Sequence, residues 1–245
     1  MIYEKLKRVV KTLLPKKLLV NQEPGFRKLV YQFYKGNNFQ CPICERKLHR
    51  FIQLKTGDKL CPNCGSLDRH RRLWILLQTF LTERSYVLDF SPPRCLYQKL
   101  KALPHIKYTP TDFSGEFLSS EKFDITQLPI QNETYDLIIC YHVLEHITED
   151  KKAMTEMYRV LKKNGICIIQ TPFKSGDIYE NSFITKPEER KVHFGQEDHV
   201  RIYSADGLLL RLGEAGFLVE PLHFAEQENN YCGLQNYETV LIAKK

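Results

Sequence analysis

The stretch YDLIICYHVLEHI, residues 135–147, decides the fold. Leu137, Ile138, Ile139 and Cys140 form a short, unbroken apolar run. Such a run suits a strand buried on both faces, as in a parallel sheet covered by helices. Polar groups then arrive abruptly as Tyr141, His142, Glu145 and His146. Open α/β sheets bind ligands just beyond the carboxyl ends of their strands. An active site is therefore expected where the run ends. The simpler alternative is that the two histidines only cap the strand and bond to backbone.

Working outward, strand and helix patterns alternate from Ser85 onward, the signature of an α/β sheet. Strands are expected at 86–90, 106–111, 135–141, 165–171, 217–222 and 238–243, with a short strand or turn at 123–125. Helices are expected at 95–102, at about 204–214, and from a Thr148 cap to a stop at Asn164-Gly165. Residues 173–203 read as a long polar insertion, placed where a lid over an acceptor belongs.

Upstream, Cys41-Pro-Ile-Cys44 and Cys61-Pro-Asn-Cys64 are separated by sixteen residues. This spacing matches zinc sites in which two CxxC turns supply four thiolates to one tetrahedral ion. Four ligands leave no open position, so the zinc is expected to be structural, in a small ribbon- or knuckle-like module. Arg46, Lys47, Arg50, Lys55 and Lys59 lie between the ligands and can offset their charge. Two redox CxxC pairs are the alternative, without the βαβ context such pairs use. Ser66 is placed to cap a helix running to about Leu81, with Asp68 in its first turn. The cluster Arg69, Arg71 and Arg72 suits either an anionic ligand or pairing with acids at a module junction.

The chain has 245 residues, 42% hydrophobic and 27% charged, which fits a globular protein of one large and one small domain. No apolar run reaches the roughly 20 residues of a membrane span. With no signal-peptide pattern at the start, the eight cysteines point to a reducing, cytoplasmic setting. The formal charge of +7 is accounted for by residues 1–35, which hold nine basic side chains and two acids. This arm reads as two amphipathic helices broken at Pro15, the second striped by Phe26, Leu29, Val30 and Phe33. A docked helical arm, attraction to an anionic membrane surface and attraction to nucleic-acid phosphates all suit it. The expected organisation is an arm over 1–38, a zinc module with linking helix over 39–82, and a catalytic domain over 83–245.

Residues 123–172, FDITQLPIQNETYDLIICYHVLEHITEDKKAMTEMYRVLKKNGICIIQTP, carry a more specific signal. An acid, an apolar-Pro segment, a buried strand, an H-x-L-E-H-like end and an L-K-x-x-G turn follow in order. This series resembles the class I S-adenosylmethionine (SAM) dependent methyltransferases with small-molecule acceptors, and the resemblance covers about 85–245. It implies a Rossmann-like, mostly parallel sheet whose last strand is antiparallel, with SAM across its carboxyl edge. Asp112 would then bind the ribose, Asp124 the adenine amino group with the Ile125 backbone beside the ring, and Tyr141 and His142 would flank the methionine moiety. The first loop, Asp89-Phe90-Ser91-Pro92-Pro93-Arg94, lacks the family's D-x-G-x-G-x-G glycines. A zinc-ribbon-like N-terminus, this loop and the segment Gly195–Tyr203 occur together in one methyltransferase subgroup. The loop is accordingly read as a variant binding mode for SAM through Asp89, Phe90 and Ser91.

An oxygen acceptor must lose a proton as it is methylated, and histidine suits that task. His142, His146, His193 and His199 are the candidates, with His146 and His199 favoured as catalytic groups. Asp198, Arg201 and Tyr203 in the insertion are expected to bind a polar or anionic acceptor. Three functions compete: a methyltransferase for a small polar acceptor such as a sugar or glycan precursor; an RNA methyltransferase gripping phosphates through the zinc module and basic arm; and a non-catalytic binding protein with a degenerate SAM site.

Overall fold

A computed structural model describes residues 16–245, with side chains from Glu23 onward. The first of the two arm helices expected from the sequence lies outside the described residues. Contacts divide the chain into two compact units. One runs to Gln78 and also takes Glu226–Asn236; the other comprises Thr79–Ala225 and Tyr237–Lys245. The sequence pattern placed 226–236 within the 83–245 domain, whereas backbone carbonyls of this excursion are bound by arginines of the cysteine unit.

In the cysteine unit, helix α1 (Lys16–Gln32) contains Pro24 and precedes two small antiparallel pairs. These are β1 (Lys35–Gln40) with β2 (Lys47–Leu48), and β3 (Ile52–Gln53) with β4 (Lys59–Leu60). Val30, Ile52 and Leu60 make a small core with Phe26, Tyr34, Leu54 and Leu67 against it. The expected α1 stripe is only partly buried: Val30 is inside, whereas Leu29 and Phe33 are exposed.

Helix α2 (Asp68–Phe80) follows. Ser66 does not act as its cap; its hydroxyl lies 3.3 Å from the sulfurs of both Cys41 and Cys64. Nor does the arginine cluster pair chiefly with acids. Arg69 bonds Asp58 at 2.9 Å, but fully buried Arg71 donates to four backbone carbonyls: Lys59 (3.0 Å), Ser66 (2.9 Å), Cys232 (2.8 Å) and Gly233. Its guanidinium lies 4.1 Å from the Phe51 ring centroid. The planar five-donor fork suits convergent carbonyls that a lysine could not bridge. Arg72 adds a bond to the Gln235 carbonyl at 3.1 Å. Gly233 has φ +62, and a Cβ there would lie 2.2 Å from the Phe51 ring.

The second unit is built on a six-stranded sheet in the order β11-β12-β8-β7-β5-β6. Its strands are β5 (Tyr86–Phe90), β6 (Lys107–Thr111), β7 (Tyr135–Tyr141), β8 (Leu161–Gln170), β11 (Leu218–Phe224) and β12 (Glu238–Lys244). β6, β5, β7 and β8 pair in parallel, and β12 is antiparallel to both its neighbours. This is the α/β Rossmann-like sheet with an antiparallel last strand. The central run behaves as its composition dictates: Leu137, Ile138, Ile139 and Cys140 are at most 2% exposed. Burying each large aliphatic side chain contributes about 1.5–3 kcal/mol. Helix α3 (Arg94–Lys101) connects β5 to β6, and α4 (Asp150–Val160) connects β7 to β8.

Of the two alternatives expected at 123–125, the turn is the one present: Asp124 accepts the Thr126 backbone N–H at 2.8 Å and its hydroxyl at 2.7 Å. Two local expectations change. Glu149, not Thr148, occupies the α4 cap position, because the Thr148 carbonyl is bound by Arg201. α4 ends at Val160, ahead of Asn164-Gly165, where Leu161 already pairs with Tyr135 of β7. The insertion is partly ordered into β9 (Tyr179–Glu180), α5 (Pro187–Phe194) and β10 (Arg201–Ile202), followed by α6 (Ala205–Glu214) capped by Ser204.

Candidate functional site

At the carboxyl end of β5 the chain turns through Ser91 with φ +50. This left-handed conformation is the one glycine adopts without strain, so serine stands where a glycine-rich turn is usual. The Ser91 hydroxyl donates to Asp112 Oδ1 at 2.8 Å, tying the ends of β5 and β6 together. Asp112 is 3% exposed, and its Oδ2 accepts from the Ser114 hydroxyl (2.9 Å) and the N–H groups of Glu116 (2.8 Å) and Phe117 (3.2 Å). Burial raises this carboxyl, but the Phe117 N–H and the Ser91 and Ser114 hydroxyls outweigh it and hold it below the ordinary range. Asp112 is therefore an anion with Oδ2 filled and Oδ1 accepting one bond from Ser91.

Asp89 and Phe90 lie beneath this turn, both buried. Asp89 accepts the Tyr108 hydroxyl at 2.8 Å, and burial pushes its carboxyl up to about 7. Ile125 is buried in the main core cluster, and Asp124 is exposed at the edge of its turn.

The end of β7 is the more reactive place. Tyr141 is buried in the last position of the strand, opposite Gln170 of β8. His142 turns the chain with φ +55, and a 3-10 turn, Leu144–His146, follows at once. Glu145 is 1% exposed, and its Oε1 lies 3.3 Å from His142 Nδ1. Burial raises the Glu145 carboxyl, and the adjacent His142 and His146 imidazoles pull it back below the ordinary range. His146 Nδ1 contacts Asp198 at 3.1 Å, and its ring meets His199 edge to face at 4.7 Å between centroids. His199 is buried, with Nδ1 3.1 Å from the Phe194 carbonyl. Burial and the neighbouring His146 hold His199 below the usual imidazole range, so it is neutral at pH 7. The structure thus brings His146 and His199, 53 positions apart in the chain, onto one carboxylate.

Buried polar atoms without a hydrogen-bond partner gather here. Among the described residues they include both Glu145 oxygens, Nε2 of His142 and of His199, Gln170 Oε1 and Thr171 Oγ1. Burying such groups unpaired costs about 1–3 kcal/mol each, so a cluster of them at one strand edge marks a place shaped for a ligand. The sequence singled out His142, His146 and His199, but not Gln170 or Thr171, whose residue types carry no motif.

Arg201 and Tyr203, expected to bind an acceptor, are tied into the scaffold, and Arg201 also lines a cavity beside the insertion. Arg201 bonds the carbonyls of Leu144 (3.3 Å), Ile147 and Thr148 (2.9 Å) and the Glu180 carboxylate (2.8 Å). Tyr203 is fully buried with its hydroxyl on Asp150 at 2.5 Å. Arg211 joins both acids, and its hydrogen bond leads in lowering Glu180 to about 2. The reason is positional: the 3-10 turn leaves carbonyls that require a cation. Asp198 stays exposed apart from its His146 contact.

In the cysteine unit the two CxxC turns share one hydrogen-bond pattern. Cys41 N–H meets the Arg46 carbonyl and Glu45 N–H the Cys41 carbonyl; Cys61 N–H meets Ser66 and Gly65 N–H meets Cys61. Sulfur separations are 3.7 Å for Cys41 to Cys64 and 3.8 Å for Cys44 to Cys61. Tetrahedral Zn–S bonds of about 2.3 Å place sulfurs about 3.8 Å apart, so the four residues fit zinc. Hydrogen bonding from Cys44 pulls Cys41 below the thiol range while Cys41 pushes Cys61 and Cys64 up, so a cation is needed to ionise all four.

Comparison with known proteins agrees with this geometry. Residues 72–169 match the family model described as "Methyltransferase domain". A SAM-dependent methyltransferase from Archaeoglobus fulgidus has a similar fold, with TM-score 0.53 and 16% identity over 71% of this chain and 91% of that one. A chain of the complex between the Haloferax volcanii Trm112 methyltransferase activator and a methyltransferase aligns at TM-score 0.51 and 12% identity, covering 70% and 86%. An uncharacterised protein of Methanocaldococcus jannaschii is 38% identical over 60 residues, 24% of this chain. The matched segment spans only 26% of that relative's own length. The sheet unit has the fold of SAM-dependent methyltransferases, and residues 72–169 match the methyltransferase-domain model. No described helix is long and apolar enough to cross a membrane.

Proposed function

We propose that the protein transfers the methyl group of SAM to an oxygen of a small polar acceptor, such as a sugar or glycan precursor. The observation that carries this reading is the set of unpartnered buried polar atoms at the carboxyl ends of β7 and β8. The residues present fit SAM: anionic Asp112 offers Oδ1 to a ribose hydroxyl, with Ser91, Phe90 and buried Asp89 forming the turn beside it. Asp124 and the Ile125 backbone would take the adenine, and Tyr141 and His142 the methionine moiety, as the family resemblance implies. When bound, SAM supplies an electrophilic methyl on a sulfonium. The chain's own part is to align the acceptor in line with it and to take the acceptor's proton. His199 has Nδ1 on a carbonyl and a bare, neutral Nε2 that can hold a proton; His146 is oriented likewise by Asp198. A cavity of about 570 Å³ whose lining includes Thr148, Glu180, Asn181, Arg190, Val200 and Arg201 lies against the insertion and suits a small polar molecule.

The four cysteines hold a structural zinc, which contributes folding energy and not chemistry. Eight cysteines, none in a disulfide, suit the reducing cytoplasm. Calorimetry with SAM, followed by transfer of a labelled methyl group to fractionated metabolites, tests the reading. Label in a small polar product is the expected result. Label in RNA, with affinity falling steeply in salt, would replace the acceptor class, and absence of SAM uptake would leave only a binding protein.

A further inference from the structure

We propose that Glu145, His146 and His199 bind one divalent first-row transition-metal cation, separately from the four-cysteine centre. The ligand atoms of these three residues all lie within 4.8 Å of one another. Bonds of about 2.1 Å would hold them about 3–3.5 Å apart, so each need move by less than about 1 Å to close on an ion.

The surroundings are those of a metal site. Metal-binding histidines usually have their second nitrogen fixed by a carboxylate or a backbone carbonyl, which orients the ring and settles the tautomer. Here His146 Nδ1 is held by Asp198 at 3.1 Å and His199 Nδ1 by the Phe194 carbonyl at 3.1 Å, one partner of each kind. Both rings therefore present Nε2. His199 is 4% exposed and its Nε2 has no partner among the described residues; Glu145 is 1% exposed and neither oxygen has one. A buried carboxylate beside three imidazoles, with Oε1 3.3 Å from His142 Nδ1 and no hydrogen bond to Oε2, is an arrangement that a cation completes.

Two nitrogens and one oxygen favour zinc, manganese, iron or cobalt over magnesium or calcium, which take oxygen ligands. Three protein ligands leave positions open, unlike the closed set at the cysteines. The cation's part in the reaction rests on the methyl-transfer reading: it would receive the acceptor oxygen and supply the acidity otherwise asked of the histidines. Its binding does not depend on that reading.

The test uses the full chain with zinc at the cysteines, titrated with Mn²⁺ and followed by electron paramagnetic resonance, since Mn²⁺ avoids thiolates. One Mn²⁺ per chain is expected, with affinity reduced by at least about tenfold in Glu145→Gln and in His146→Ala. His146 is half-buried, so His146→Ala carries the comparison if the buried Glu145 variant does not fold. Total zinc after equilibration is the second measure: one equivalent more in the wild type than in either variant. No Mn²⁺ binding together with equal zinc in wild type and variants overturns the site. Calorimetry with SAM on the same samples separates the two ideas. Cation uptake without SAM binding sinks the methyl-transfer reading alone; SAM binding without cation uptake sinks the metal site alone.

Discussion

Asp112→Asn isolates the cofactor's sugar contact. In the wild type Oδ2 accepts three donors from the 114–117 loop, whereas Oδ1 accepts only Ser91. An asparagine can turn its oxygen to the three donors and its amide to the Ser91 hydroxyl, which can accept. The loop therefore stays tied. What disappears is the anionic oxygen with a free lone pair beside the strand end, the one available to a ribose hydroxyl. A hydrogen bond to a charged group contributes about 1.5–3 kcal/mol, so SAM affinity should fall by roughly 10- to 150-fold. Calorimetry with SAM and with S-adenosylhomocysteine reads this directly, and both should weaken alike because both carry the ribose. Near-UV circular dichroism should not change. Affinity within about threefold of wild type would refute the placement of the cofactor on Asp112.

Three further outcomes follow from the packing. Asp89 has a carboxyl raised to about 7, against about 4 when unfolded, so the folded state keeps a proton that the unfolded state loses. Stability should fall as pH rises from about 4 to 7, by roughly 4 kcal/mol at most, and denaturant melts of Asp89→Asn should lose most of that slope. Cys61→Ser leaves three thiolates, and metal analysis should show loss of the cysteine-bound zinc with increased proteolysis of residues 23–78. Gly233→Ala places a methyl group 2.2 Å from the Phe51 ring at φ +62 and should destabilise the cysteine unit by about 2–4 kcal/mol, read by hydrogen exchange.

Much of the fold was legible because its signals are local. The apolar runs of β5 and β7 set their own boundaries, and the CxxC spacing placed four sulfurs in one cluster. The acids at 112 and 124 were singled out by their order along the chain. Contacts made over long separations were not legible. Arg71 read as an anion-binding or ion-pairing residue, because its carbonyl partners at Cys232 and Gly233 lie 161 and 162 positions away and a carbonyl has no sequence signature. The scaffold contacts of Arg201 were hidden for the same reason, since they include backbone atoms of 144–148. Thr148 had the right residue type for a cap, but its carbonyl was claimed by that arginine. Ser91 is the opposite case: the missing glycine was visible, yet only the backbone shows a serine accepting the left-handed turn itself.

The excursion Glu226–Asn236, gripped by Arg71, has a consequence for biosynthesis. A ribosome must add 161 residues beyond Arg71 before Cys232 is made, so the amino-terminal unit cannot mature as each residue appears. Until then a buried guanidinium waits without half of its acceptors. A truncated clone ending at residue 78 would meet the same deficit permanently, and the two units are best produced as one translation product.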